Sequence, residues 1–111
     1  MTKLLFYFSG RNSLWGRETL GLRLAKLLTK RYDEVWIFLA NNAIYIGKKG
    51  LTKPEAAALD EAVKAGCKVL MWEEDMGFRG ITKDMVKDYI QIVNTDGYMD
   101  ALFLCDKTIA F

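Results

Sequence analysis

Four continuous apolar runs divide the chain and predict the strands of its sheet. They occupy residues 4–8, 35–40, 69–72 and 108–111. Strict alternation of polar and apolar residues would indicate a strand with one face in water, whereas a continuous run indicates a strand that is covered on both faces. The runs therefore predict a parallel sheet that lies between layers of helices.

Helical periodicity fills the segments between the first three runs. Four leucines share one face of the first predicted helix and are expected to be buried: Leu20, Leu24, Leu27 and Leu28. A short helical piece is predicted over residues 43–49. The Thr-Lys-Pro-Glu sequence at residues 52–55 has the spacing of a capping box, and it predicts a helix that ends at Gly66.

Two more helices are predicted after the third run. Thr82 is expected to cap a helix whose buried stripe continues to Val93, and a last helix is expected over residues 97–105, capped by Thr95 or Asp96. The order β-α-β-(short α)-α-β-α-α-β predicts one domain over residues 1–111. The predicted fold is a three-layer α/β/α sandwich with a mostly parallel sheet of four to five strands, 2-1-3-4 being the simplest order for four strands.

Ligands of open parallel sheets bind beyond the carboxyl ends of the strands, so the loops that follow the strands are the place for a site. These loops supply the candidate ligand- or partner-binding residues, which are Ser9, Arg11, Asn12, Asn41, Glu74, Asp75 and Arg79. The first loop precedes a helix N-terminus, which favours anions. It has neither the GxxxxGK[ST] nor the GxGxxG pattern, so no cofactor is predicted.

Three consecutive acids at residues 73–75 follow the third run. One interpretation is structural: the acids pair with Arg79, Arg11 or Arg17. The other is chemical, because neighbouring carboxylates act as acid and base or hold a divalent cation. The structural interpretation is favoured, since the chain has no second acidic cluster and no EF-hand spacing.

Composition excludes several classes of function. The chain has 111 residues, no histidine, two cysteines and a net charge of +2. The absence of histidine removes Ser-His-Asp and Cys-His catalysis, and two distant cysteines make a metal site unlikely to form. No basic stripe suggests nucleic acid, and no run has the length of a membrane span. The first apolar run is too short for a signal peptide, so a cytoplasmic location is expected.

Cys67 and Cys105 are interpreted as structural, because neither has an evident helix N-terminus or neighbouring base to lower the pKa of its thiol. Cys67 opens the third strand and is expected at the opposite edge of the sheet from the candidate site. Trp15, in the loop before the first helix, is a candidate for a subunit interface, where tryptophan is enriched.

Several motifs resemble the DsrE/DsrF-like family over essentially the whole chain. They are Lys-Leu-Leu-Phe-Tyr-Phe-Ser-Gly at residues 3–10, Glu-Val-Trp-Ile-Phe-Leu-Ala-Asn-Asn-Ala at residues 34–43, Gly-x-Lys-Val at residues 66–69, Arg-Gly-Ile-Thr at residues 79–82 and Asp-Lys-Thr-Ile-Ala-Phe at residues 106–111. The resemblance implies a YchN-like fold and assembly into dimers, trimers or hexamers.

The resemblance also implies a role in sulfur relay, with one departure. Family members that carry sulfur have a cysteine about four residues before the Arg-Gly pair, and Asp75 occupies that place here. The family includes chains that lack the cysteine and build the complex. The expected function is therefore a non-catalytic, oligomeric binding or scaffolding subunit, and its expected partners are further copies of itself and a sulfur-relay protein. The alternative is a sulfur carrier or small enzyme that uses Cys67, Cys105 or the acidic loop of Glu73, Glu74 and Asp75.

Overall fold

The computed structural model describes residues 2–10, 16–51 and 53–111. The strands in this part of the chain are β1 (Lys3–Phe8), β2 (Glu34–Leu39), β3 (Lys68–Trp72), β4 (Ile90–Val93) and β5 (Lys107–Ala110). The α-helices are α1 (Gly16–Leu28), α2 (Pro54–Lys64), α3 (Glu73–Phe78) and α4 (Thr95–Leu104). Short 3₁₀ helices cover Asn41–Gly47 and Lys83–Met85. None of the helices in the described ranges is long and apolar enough to cross a membrane.

The five strands form one parallel sheet in the order β4-β3-β2-β1-β5. The predicted parallel α/β/α sandwich is confirmed, but the order 2-1-3-4 is wrong. The chain steps outward in one direction from β1 through β2 and β3 to β4, and it then crosses back over the sheet through α4 to place β5 beside β1. This single return places α4 alone on one face, while α1, α2 and α3 pack on the other.

Both faces of the central strand β1 are buried, as its continuous apolar run predicts. Leu4 and Phe6 point towards the layer of α1 and α2, where Leu22 of α1 is fully buried. Leu5 points to the other face, where Ala101 of α4 packs against it. Alternate residues of one strand thus supply two separate hydrophobic cores, and each core is closed by its own helical layer.

The helix predicted from Thr82 to Val93 is wrong. Only Lys83–Met85 forms a 3₁₀ turn, and Ile90–Val93 becomes the edge strand β4, which pairs with β3. Three of the four residues of β4 are Ile or Val, and branching at Cβ favours the extended backbone. The apolar residues of the 82–93 segment lie three and four positions apart, and so they match a helical period by chance. Only the last four residues of the segment join the sheet, and the residues before them connect α3 to it.

The predicted buried face of α1 is also wrong in part. Leu20 is 62% exposed and Leu27 is 61% exposed, whereas the buried positions include Gly21, Leu22 and Ala25. Gly21 lies against the ring of Phe8, so the helix approaches the sheet on the side that carries the small residues. Close packing of a helix on a sheet therefore overrides the leucine periodicity.

The structure corrects two further local predictions. The segment after β3, expected as a loop, begins with helix α3; its first turn holds Glu73, Glu74 and Asp75, and acids at this position interact favourably with the helix dipole. The cap of α4 is Asn94 rather than Thr95 or Asp96. The Asn94 Oδ1 accepts a hydrogen bond from the Gly97 N–H at 2.9 Å.

Gly21 and Gly77 offer a matched test of the α1 packing, because both lie in helices. A β-carbon at Gly21 would lie 2.6 Å from the Phe8 ring, which is fully buried and stacked on Phe111 at 5.4 Å between centroids. A β-carbon at Gly77 would meet nothing within 4 Å. Both alanine variants gain helix propensity, so we expect Gly21→Ala to be less stable than Gly77→Ala by about 1–3 kcal/mol in urea unfolding, the usual range for overpacking. Equal stabilities would contradict the packing described for α1.

Candidate functional site

The carboxyl ends of the five strands form one edge of the sheet, and polar groups follow several of these strands. In spatial order they are Thr95 after β4, Glu74 and Asp75 after β3, Asn41 and Asn42 after β2, and Ser9 after β1. Parallel pairing aligns these ends, so residues far apart in sequence become neighbours.

Asp75 is the centre of this edge. Its side chain accepts a hydrogen bond from the Asn41 N–H, with 2.6 Å between that nitrogen and Oδ2. The Arg79 Nη1 lies 3.5 Å from the Asp75 Oδ1, and the Arg79 Nη2 donates to the Asn42 Oδ1 at 3.2 Å. Asp75 is only 5% exposed. The carboxylate therefore joins the first turn of α3 to the turn after β2, and it also orients the guanidinium.

Local sequence explains how these groups meet. Asp75 and Arg79 are four residues apart at α3, the spacing at which helical side chains of opposite charge contact. Asn41 has a positive φ of 51°, a conformation that asparagine tolerates better than most residues, and this turn directs its N–H towards Asp75. The predicted pairing of the acidic loop with Arg79 is confirmed.

The loop after β1 is held close to the same turn. A β-carbon at Gly10 would lie 2.6 Å from the backbone nitrogen of Ala43, so only glycine permits this approach. Ser9 is tied to the neighbouring strand instead: its Oγ donates to the Phe111 carbonyl at 3.2 Å, and its N–H donates to the same oxygen at 3.0 Å. Ser9 thus ties the end of β5 to the end of β1.

Glu74 points away from Asp75. The Thr95 Oγ1 donates to the Glu74 Oε1 at 3.3 Å, so Glu74 links α3 to the start of α4. Within the described ranges, no three Asp, Glu or Cys side chains converge as metal ligands would. The hypothesis of a divalent-cation site on Glu73, Glu74 and Asp75 therefore has no geometric support in these residues.

The candidate residues fall into three groups. The structure brings Asn41, Asp75 and Arg79 into contact, and it places Glu74 and Ser9 at the two sides of this cluster. Three predicted residues, Arg11, Asn12 and Trp15, lie outside the described residues, and the same holds for the side chain of Arg17.

Sequence reasoning missed two partners, Asn42 and Thr95. Asn42 followed Asn41 directly after a strand, which was a usable signal. The sequence predicts Thr95 as a helix cap, and its contact with Glu74 follows from the pairing of β3 with β4, which brings the starts of α3 and α4 together.

Two more carboxylates are buried in the helical layer of α1 and α2. Glu18 and Glu55 lie in the first turns of these helices, and each is only 1% exposed. One oxygen of each, Oε2 of Glu18 and Oε1 of Glu55, accepts no hydrogen bond from the described residues. The positive ends of the two helix dipoles favour carboxylates at these places. Nothing in the sequence indicates that these two polar side chains are buried.

Both cysteines lie towards the opposite edge of the sheet. Cys67 directly precedes β3, its Sγ lies 3.7 Å from the Ala25 carbonyl oxygen, and burial raises the pKa of its thiol to about 11. Cys105 follows α4 and is half-buried. Burial raises its thiol pKa, which Lys3 opposes and which Asp106 and Glu34 increase further. Neither thiol faces Asp75, as the sequence predicted for Cys67.

Comparison with known proteins depends on structure, because the sequence matches no protein-family model and no curated protein. The YchN protein of E. coli superposes with a TM-score of 0.86 over 100% of both chains, at 20% sequence identity. The chain has the YchN fold. The YchN-like fold that the resemblance implies is therefore confirmed.

Two solved structures of proteins of unknown function share this fold. MTH1491 from Methanobacterium thermoautotrophicum has a TM-score of 0.77 at 12% identity, with 100% of both chains covered. BT1422 from Bacteroides thetaiotaomicron has a TM-score of 0.76 at 12% identity, with 98% of this chain and 94% of its own chain covered. Identities this low establish a common architecture and carry no role from one protein to another.

The Asp75 contacts predict a stabilising carboxylate. We expect Asp75→Ala to lower the free energy of unfolding by about 1–3 kcal/mol, because the Asn41 N–H and the Arg79 guanidinium both lose their partner. Glu74→Ala removes only one contact of an exposed side chain, so it should change stability by less than about 0.5 kcal/mol. Urea unfolding of the two variants checks this difference, and equal losses would contradict the assigned role of Asp75.

Burial of Cys67 predicts slow thiol chemistry. Its pKa lies about two units above the ordinary value of 9.0, which lowers the thiolate fraction about 100-fold near neutral pH. In a Cys105→Ser background we expect iodoacetamide to modify the native chain at least about 100-fold more slowly than the urea-unfolded chain. Equal rates would show that Cys67 is exposed in solution.

Proposed function

We propose that the chain is a cytoplasmic, non-catalytic DsrE/DsrF-like protein that acts as an oligomeric binding or scaffolding subunit related to sulfur-relay proteins. The observation that carries the proposal is the state of Asp75. This residue stands where the resemblance expects a sulfur-carrying cysteine, and its carboxylate is buried and held by the Asn41 N–H and by Arg79.

The chemistry of this edge supports binding rather than sulfur transfer. A persulfide carrier needs an accessible thiolate, and neither cysteine lies at this edge. Among the described residues, donors at this edge include the remaining N–H groups of Arg79, whose side chain is 22% exposed, and the amide group of Asn42. Such groups recognise the carboxylates or carbonyls of a partner protein or of a small ligand. Ser9, Asn41, Glu74, Asp75 and Arg79 form the proposed surface, and Arg11 and Asn12 remain sequence predictions.

One observation favours the alternative, a sulfur carrier that uses Cys105. Its side chain is half-buried rather than buried, and the positive charge of Lys3 acts to lower its thiol pKa. Burial and two neighbouring carboxylates act in the opposite direction and prevail. Cys67 and the acidic loop have no comparable support, since Cys67 is buried and the acids do not converge.

Incubation with a persulfide donor distinguishes the two functions. We expect the intact mass of the native chain to show no added sulfur atom, because the thiolates needed for attack are scarce. The same chain unfolded in urea serves as the positive control, since its cysteines are then free to react. An adduct of one sulfur atom on the native chain that disappears in Cys105→Ser would overturn the non-catalytic proposal and establish the carrier. The Cys67→Ser variant assigns any adduct that persists.

A further inference from the structure

The outer surface of α4 is apolar and acidic. Asp96, Met99, Asp100 and Phe103 are spaced as residues i, i+3, i+4 and i+7, and so they share one side of the helix. Phe103 is 82% exposed and Met99 is 48% exposed, while Ala101 on the opposite side is buried against the sheet. Among the described residues, neither aspartate has an ion-pair partner. We call these four residues the acidic face.

The outer surface of the opposite layer is apolar and basic. Leu20, Arg23 and Leu27 share one side of α1, and the two leucines are more than half exposed. Beside them, between α1 and α2, lies a groove of about 260 Å³, which is lined by Arg23, Lys26, Pro54, Ala57, Ala58 and Glu61. Arg23 has no carboxylate partner in the described ranges, whereas the Lys26 Nζ lies 3.4 Å from the Glu61 Oε2 at the same groove. We call Leu20, Arg23, Lys26 and Leu27, with this groove, the basic face.

The two faces carry opposite net charge. The acidic face offers an exposed ring on the same side of α4 as two carboxylates, and the basic face offers a groove lined by proline and alanine beside Arg23 and the Lys26–Glu61 pair. Pairing each face with itself would place Asp96 and Asp100 against a second pair of acids, or Arg23 against a second arginine. Opposed like charges cost free energy and suppress such pairings.

We propose that the acidic face of one copy of this chain docks on the basic face of a second copy, with Phe103 seated in the groove between α1 and α2. The inference depends on the oligomeric state within the proposed function, and it adds which surfaces meet. Asp96 and Asp100 lie opposite Arg23 and Lys26 across the contact, where they share Lys26 with its ion-pair partner Glu61. Burial of Phe103, Leu20 and Leu27 supplies the driving force.

Because α1 and α4 cover opposite faces of the sheet, the contact is between two different surfaces of the same chain. An open assembly of this kind therefore keeps one free acidic face at one end and one free basic face at the other, until a closed ring uses both. A two-fold dimer, by contrast, would use the same surface on both copies. This difference makes the inference testable without a structure of the assembly.

The test uses two variants that each destroy one face. Asp100→Arg with Phe103→Arg removes the acidic face, and Arg23→Glu with Leu27→Glu removes the basic face. All four side chains are exposed, so we expect native circular dichroism from both variants. A matched control reverses two exposed charges elsewhere, Lys48→Glu with Lys83→Glu.

Sedimentation velocity gives the outcomes. We expect wild type and control to sediment as an assembly, each face variant alone to sediment as a monomer, and an equimolar mixture of the two to form a heterodimer through the two intact faces. A mixture that stays monomeric, or a face variant that still self-associates like wild type, overturns the proposed contact. A monomeric wild type overturns the contact and the oligomeric proposal together. An assembly that survives in both variants overturns only the contact.

If a charge variant fails to fold, Phe103→Ser and Leu27→Ser replace it. These changes leave the charges in place and remove the apolar contact, so each should weaken association at least tenfold, as the loss of a buried interface anchor does. Unchanged association of both serine variants would contradict the docking of Phe103 in the groove.

Discussion

Burial of both faces of a parallel sheet is the constraint on which the rest of this structure depends. A parallel strand needs a crossover, and every crossover helix covers one face. Three successive crossovers in one direction place α1, α2 and α3 on the same face, so the other face would stay in water. The return through α4 covers that face and delivers β5 to the free edge of β1. Strand order and layer composition thus follow from one requirement.

The same constraint creates the candidate site. Parallel strands end at a common edge, where the chain leaves the sheet through turns that expose backbone N–H groups. Asp75 satisfies one such group, that of Asn41, and Arg79 offsets the charge that this places in a buried position. A carboxylate with two such partners serves the fold as a hydrogen-bond acceptor that holds two turns of this edge together.

Sequence patterns predicted the features that depend on which strands are buried. They failed for the features that depend on how closely two elements pack. The runs of β1, β2 and β3 are continuous because both faces are covered, so the parallel sandwich was predictable. Leu20 and Leu27 follow a helical period, but α1 lies on the sheet through Gly21 and Ala25, and no period reveals which side approaches. At the site, the Asp75–Arg79 pair was predictable from its spacing. The Asn41 N–H contact depends on a left-handed turn that the sequence does not specify.

Among the described helices, α4 covers the second face of the sheet, and its outer side forms the surface of that layer. α4 has ten residues and spans from β4 to β5, so it must be apolar where it meets Leu5, Phe38 and Leu70. Its outer side is apolar as well, and Phe103 on that side is 82% exposed. Each exposed Å² of apolar surface forgoes roughly 25 cal/mol that contact would supply, and such a surface promotes indiscriminate association. Asp96 and Asp100 restrict that association to a partner with positive charge, and Arg23 on the other layer of the same chain carries it.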